Sequence, residues 1–296
     1  MPMDNADIRI TLVCENTATG AGLLGEHGLS WWIEAGGRRV LFDTGQGLSI
    51  LHNAQRLGVD LSTTDAIVLS HGHYDHVGGL PAVLEQARDC PVWLHPAALD
   101  KKYSRGKDGR ARRISCPLLD KERLASIAPR LRWLTEPTEI VPGVFATGPV
   151  PRRTGFEDTG GDFFRDEAMQ VVDPLVDDVA LAIPALAGTV VVLGCAHAGV
   201  VNTLDQVAPW LGPVAVVMGG MHLLHADRPR LQATAEAIHR HGVRSLGPNH
   251  CTGEKALAFL RQEFPDQCFP CHVGMRWPFS PPHPPAVPDQ SQTIIP

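Results

Sequence analysis

Residues 70–79 read SHGHYDHVGG, which places His71, His73, Asp75 and His76 within six positions. Side chains alternate along an extended segment, so His71 and His73 point to one side of it. A turn directly afterwards brings Asp75 and His76 round to a neighbouring position. Imidazole and carboxylate suit Zn, Mn or Fe, and one ion cannot comfortably take four side chains from so short a loop. Two adjacent metal positions explain the spacing better than a polar surface loop does, because the stretch follows a buried strand, AIVLS, and precedes a double glycine. Gly78 and Gly79 are read as letting the backbone turn tightly into the next helix. A metal of this kind lowers the pKa of bound water from ~15.7 to near 7 and polarises carbonyl or phosphoryl oxygens. That chemistry hydrolyses esters, lactones, amides or phosphodiesters. Asp75 is a candidate for holding the nucleophile as well as ligating, since a carboxylate can accept its proton.

Such residues need elements to position them, and the chain alternates short β-like runs with amphipathic helical stretches. ITLVCE, LSWWIEAGG and RRVLFDTG read as strands, the last ending in Asp43-Thr44-Gly45. SILHNAQRLG puts Ile50, Ala54 and Leu57 on one helical face, with Gly58 as a stop. GGLPAVLEQAR reads as the helix after the motif and PVWLH as another strand. The second half repeats this grammar. VALAIPA, TVVVLG, VAVVMGG and VRSLG are strands, and NTLDQVAPWL, RPRLQATAEAIHRHG and EKALAFLRQEF are helices. Strands keep ending in Gly, His or Cys clusters just before helices, where α/β proteins place their chemistry. Residues 97–170 are less regular and suit a lid or substrate loop. The folded domain is read as residues 1–277, followed by a proline-rich, extended or disordered tail over 278–296.

The 296 residues are 44% hydrophobic with a net charge of −6, which suits one large α/β domain or two small ones. No apolar run approaches the ~20 residues of a membrane-spanning helix. MPMDNADIRI has neither the basic nor the apolar region of a signal peptide, so the chain reads as cytoplasmic. Mild acidity argues against nucleic acid as a partner. Seven scattered cysteines fit a reducing compartment better than a disulfide framework, and the CFPC at Cys268 and Cys271 lacks the second pair of a metal site. One stretch is locally basic: KKYSRGKDGRARR (101–113) carries seven basic side chains and one acidic one. Folded over the site, Arg112 and Arg113 would grip a phosphate or carboxylate. Arg152 and Arg153, in GPVPRRTGFE, are a second candidate clamp, and His27 is a candidate contact before a strand.

HxHxDH after a strand, with FDTG upstream, resembles the metallo-beta-lactamase superfamily. EHGLSWWIE (26–34), LFDTGQG (41–47), SHGHYDHVGGL (70–80), GCAHAGVVNTL (194–204), GGMHLL (219–224) and PNHCTG (248–253) look more narrowly like its dihydropterin-ribofuranosylaminobenzene-phosphate synthase subgroup. The resemblance implies an αββα sandwich, two packed mixed β-sheets with helices on the outer faces and the metal site at their shared edge. It implies His71, His73 and His197 at one divalent ion and Asp75, His76 and His250 at a second. The family's usual third histidine is missing between His95 and His197, with Arg152 and Arg153 near its expected place. Where many members carry Gly-Asp after a strand, this chain has Gly194-Cys195. Without that bridging carboxylate, one or two ions are expected, zinc first and manganese or iron as alternatives. Asp43 is implied as a carboxylate beneath the metal loop that orients a ligand, and Cys195 as a small buried neighbour. His222, in GGMHLL, either simply closes a strand or stands beside the site as a proton donor or substrate contact.

The expectation is a metal-dependent hydrolase with Asp75 and His222 as catalytic candidates, acting on a small anionic phosphate ester, phosphodiester or lactone. A pterin-linked condensing enzyme, an iron-dependent oxidoreductase and a non-catalytic ligand-binding protein are the alternatives on the same fold, since fold does not fix function.

Overall fold

In TVVVL every position after Thr189 is apolar, and the computed structural model, which describes residues 8–117 and 121–279, buries the run on both faces. In this strand, β13 (Thr189–Leu193), Val190 and Val192 pack into the layer between two sheets, whereas Val191 and Leu193 face helices. Alternation along a strand whose two faces are both covered requires such a continuous apolar run.

The first sheet has seven strands in the order β16 (Arg276–Phe279), β1 (Ile8–Cys14), β2 (Ser30–Ala35), β3 (Arg38–Phe42), β4 (Ala66–Val68), β5 (Val92–Leu94) and β8 (Leu131–Trp133). The second has six, in the order β15 (Ser245–Asn249), β14 (Val214–Gly220), β13, β12 (Leu181–Ile183), β10 (Val144–Ala146) and β9 (Thr138–Val141). Pairing is parallel from β3 to β8 and from β13 to β15, and antiparallel elsewhere. Ile10, Leu12, Trp31, Val40 and Phe42 of the first sheet meet Val144, Leu181, Ile183 and Met218 of the second in one core. Each such side chain contributes roughly 1.5–3 kcal/mol on burial.

Helices cover the outer faces, completing the αββα layers. Against the first sheet lie α1 (Ile50–Leu57), closed by Gly58 in the left-handed region as its sequence suggested, the short turn α2 (Tyr74–Val77) and α3 (Leu80–Gln86). In the same layer is α4 (Lys121–Ile127), whose Ile127 joins that cluster. Against the second sheet lie α5 (Val200–Leu211), α6 (Arg228–Arg240) and α7 (Glu254–Glu263). Among the described residues no helix is long and apolar enough to cross a membrane.

Three local expectations are refined. The less regular middle segment, read as a lid or substrate loop, contributes β8, β9 and β10 and builds a third sheet, β11 (Phe163–Phe164), β6 (Tyr103–Arg105) and β7 (Ala111–Arg113), whose Arg105, Arg112 and Phe163 line the cavity. β16 runs through Phe279 and pairs with β1, so Pro278 and Phe279 belong to the sheet; the remainder of the expected tail, 280–296, lies outside the described residues. Gly78 and Gly79 have ordinary right-handed helical φ and ψ, so they are not needed for a turn. They are needed for close approach, because a Cβ would sit 2.2 Å from the Gln46 carbonyl oxygen at Gly78 and 2.2 Å from that of Thr44 at Gly79.

Candidate metal centre

Five strands of the parallel regions deliver the site from their carboxyl ends. β3 ends at Asp43, β4 leads to His71–His76, β13 to Cys195 and His197, β14 to His222 and β15 to His250. Loops past the strand ends of two facing sheets meet at one edge, which brings together side chains far apart in sequence. His71, His73 and His197 offer ligand atoms within 4.8 Å of one another, and so do Asp75, His76 and His250. The helical turn α2, directly after the extended His73, swings Asp75 and His76 to the second group.

The hydrogen bonds determine which nitrogens remain bare. Ser70 Oγ donates to Asp43 Oδ2 (2.7 Å), so it accepts from His71 Nδ1 at 2.9 Å. His76 Nδ1 donates to the same Asp43 oxygen at 2.7 Å, and the Ser70 amide donates to the other at 2.7 Å. His197 Nδ1 donates to the Thr159 carbonyl (2.8 Å), and its Nε2 is buried without a partner. Asn16 gives its amide nitrogen to the His250 carbonyl, leaving its oxygen to accept from His250 Nδ1 at 3.1 Å. Four imidazoles are thus held by their Nδ1–H groups with Nε2 turned inward, the arrangement that orients histidine ligands. His71 Nε2 lies 3.0 Å from His73 Nδ1, and His76 Nε2 lies 3.1 Å from His250 Nε2. Inward lone pairs this close need a cation or a proton between them. Burial pushes His71 and His197 well down, His73 down to about 4 and His250 down, so these four are neutral and able to ligate at pH 7. At His76 burial opposes the charge, but Asp43 outweighs it and lifts the group to about 9. Burial raises Asp75, yet the imidazoles of His250 and His27, 3.5 and 3.2 Å from its Oδ2, hold it well below the usual carboxylate range. The donor set fits divalent zinc, iron or manganese.

Asp43, Ala196, His222 and His250 all have positive φ, between 43° and 60°. Non-glycine residues in this region are strained by about 1–3 kcal/mol each, and here they cluster at one place.

His73, Asp75, His197 and His250 of the two groups line the floor of a cavity of about 790 Å³, and His71 and His76 are fully buried behind them. His27 reaches it, with Nε2 3.2 Å from Asp75 Oδ2. His222 also lines it, its ring centroid 4.3 Å from that of His197; burial pushes it down to about 3, so it stands neutral and is no cationic proton donor at pH 7. Phe163 of the third sheet roofs the floor, 5.0 Å from the His73 ring and 5.1 Å from the His197 ring. Arg112 lines one wall, stacked over the Tyr74 ring and donating to its hydroxyl at 2.6 Å. Arg113 is the next residue on the same strand and takes the opposite face, away from the cavity. Arg152 and Arg153 do not line it either: Arg152 donates to the Pro174 carbonyl and the Arg153 amide to Asn202. Cys195 is more than a bystander, its Sγ lying 3.1 Å from His76 Nε2.

Residues 24–206 match the model of the metallo-beta-lactamase superfamily. The chain belongs to that superfamily. It is 30% identical, over 92% of its own length and 96% of the relative's, to the 7,8-dihydropterin-6-methyl-4-(beta-D-ribofuranosyl)-aminobenzene-5'-phosphate synthase of Methanocaldococcus jannaschii. A second protein of that organism, uncharacterized, is 32% identical over 86% of this chain and 94% of its own. The crystal structure of Tm1679, described as a metal-dependent hydrolase of the beta-lactamase superfamily, superposes with a TM-score of 0.79 and 33% identity, covering 92% of this chain and 99% of the other.

Several residues that hold this metallo-beta-lactamase site escape sequence reading. Lys102 sits inside the basic stretch yet is 1% exposed, bonded to Asp173 and Asp177 at 2.9 Å each. Asp177 in turn accepts the Gly72 amide at 2.8 Å, between the two leading histidines. Acids flanked by apolar residues in VVDPLVDD were the available signal for this hub. Glu15 accepts the His250 amide, and Glu157 accepts the Val201 and Asn202 amides that begin α5, steadying the loop of His197. Glu26, beside His27, is also structural, binding the amides of Gln46, Leu48 and Ser49.

Proposed function

We propose that the protein is a metal-dependent enzyme for a small anionic molecule and that hydrolysis is the reaction its site serves best. What carries this reading is the convergence of five histidines and Asp75, with their ligand atoms turned inward, at the floor of a cavity sized for a small molecule. His71, His73 and His197 would hold one divalent ion and Asp75, His76 and His250 a second, with zinc the first expectation. Ions held there supply Lewis acidity and a nucleophile usable at neutral pH. The protein's own groups do the rest. Asp75, kept ionised and bonded to His27, can take and hold a proton at Oδ2. Arg112 presents a guanidinium to an anionic substituent, His222 meets the substrate as a neutral imidazole, and Phe163 excludes water above the floor. Elemental analysis of protein purified without added metal, followed by phosphodiester, phosphomonoester and lactone assays, tests the reading. Metal with turnover lost in His73→Ala supports it; a metal-free protein, or turnover unchanged in that variant, rejects it.

A condensing reaction is the second reading, favoured by the full-length similarity to the synthase. Formation of a joined product from a dihydropterin and a ribosyl-aminobenzene phosphate, read by mass, separates this outcome from hydrolysis.

A further inference from the structure

The two ligand groups described above share no side chain, but a third set joins them. His71, His76 and Cys195 also present ligand atoms within 4.8 Å of one another, all buried. This set takes His71 from the all-imidazole group and His76 from the group containing Asp75. Cys195 is 3% exposed, and its Sγ lies 3.1 Å from the inward Nε2 of His76. We propose that Cys195 is a metal ligand whose thiolate bridges the two ions, in the place where the chain lacks a carboxylate after Gly194. The inference rests on the metal reading and goes further, since that reading needs no sulfur.

Two observations support it. Cys195 is held rigidly: a Cβ on Gly194 would come 2.2 Å from Ser70 Oγ, the Gly220 amide donates to the Gly194 carbonyl at 3.0 Å, and Ala196 is in the left-handed region. Next, the partnerless, buried Nε2 of His197 shows that a nearby ligand atom is left for something the protein does not supply. On taking up a cation the thiol would release its proton to solvent, and the thiolate's negative charge would offset part of the two ions' positive charge. Sulfur at the bridge favours zinc or iron over manganese.

Cys195, His222 and Cys251 form a competing set within the same distance limit, in which two thiols would serve a position of their own. Cobalt(II) distinguishes the arrangements, because thiolate-to-cobalt charge transfer gives a near-ultraviolet band that nitrogen and oxygen ligands do not. Wild-type protein and the Cys195→Ser, Cys195→Asp and Cys251→Ser variants are loaded with cobalt, and ion content and spectrum are read together. The proposal expects a band in the wild type that survives Cys251→Ser and is lost in both Cys195 variants. Cys195→Ser should hold its second ion roughly 10–100-fold more weakly, while Cys195→Asp, with a carboxylate in the bridge, should retain both. Cobalt bound by the wild type without a band overturns the sulfur bridge and leaves the metal reading standing. A band kept in Cys195→Ser, or lost in Cys251→Ser, also overturns it. No cobalt uptake by the wild type overturns both. Should Cys195→Ser fail to fold by circular dichroism, the wild-type, Cys195→Asp and Cys251→Ser spectra still decide.

Discussion

The two halves of the candidate site use equal numbers of side chains and contrasting electrostatics. His71, His73 and His197 are neutral ligands, and the acceptors behind two of them are a serine hydroxyl and a backbone carbonyl. Charge reaches their loops only at one remove, through Asp177 on the Gly72 amide with Lys102 behind it, Asp43 on Ser70, and Asp178 on the Ala198 amide. The other half contains a carboxylate, Asp75, and a second, Asp43, sits directly behind His76. Opposite charge within contact distance holds a cation more tightly than dipoles do. The difference teaches that one half can capture an ion by charge, whereas the other must be prepared by geometry.

Ligand removal gives the strongest test of that contrast. Asp75→Ala should empty its own half and weaken the neighbouring one, whereas His73→Ala should empty only its own, as read by metal content per chain. Full metal content in both variants would remove the assignment altogether. Next in size is the hub that prepares the all-imidazole half. Lys102→Met leaves Asp173 and Asp177 buried without their cation and should cost about 3–5 kcal/mol of stability in urea unfolding. The pH profile of stability carries the same information. Burial works against the Lys102 charge, but Asp177 and Asp173 hold its pKa above the ordinary value, so its contribution is full below ~10.4 and is lost as pH rises through the folded value. Asp173 is the converse case: burial raises it, Lys102 overrides this, and its contribution is present above ~3.9 and lost as pH falls through the folded value. Lys102→Met should flatten both edges; an unchanged profile would show that the hub is not what stabilises the loop.

Smaller effects compare the groups behind the ligands. Asp43→Asn should weaken metal affinity by roughly 10–100-fold, and Asn16→Ala, which removes only a neutral acceptor behind His250, by less. Equal losses in competition with a chelator would contradict the role assigned to charge. The smallest expected effect lies at the rim. Arg112→Ala should raise KM for an anionic substrate by about tenfold, the worth of one charge-assisted hydrogen bond, and Arg113→Ala should leave it unchanged.

Much of the fold was legible because burial on both faces writes itself as apolar runs. TVVVL, VAVVMGG and AIVLS are such runs, and Gly58 closes α1 because a left-handed residue was needed there. The third sheet was not legible: β6, β7 and β11 are two or three residues long, too short for a period to register. In the site, His71, His73, Asp75 and His76 could be read together since their spacing is local. The arginines misled because charge in a sequence says nothing about direction. Lys102 is buried, Arg112 faces the cavity, and Arg113 beside it faces away, while Arg152 and Arg153 bind other parts of the chain.

By itself the sequence determined which elements form and which ligand types stand at the strand ends, because hydrophobic period and short-range spacing are properties of the chain alone. Only the tertiary structure decided the finer partners: that Ser70, Asp43, Thr159 and Asn16 each hold an Nδ1–H, and that Cys195 reaches His76 across 119 residues. Hydrogen bonds and metal contacts act over about 3 Å, and positions so far apart along a chain come within that range only when two sheets meet edge to edge.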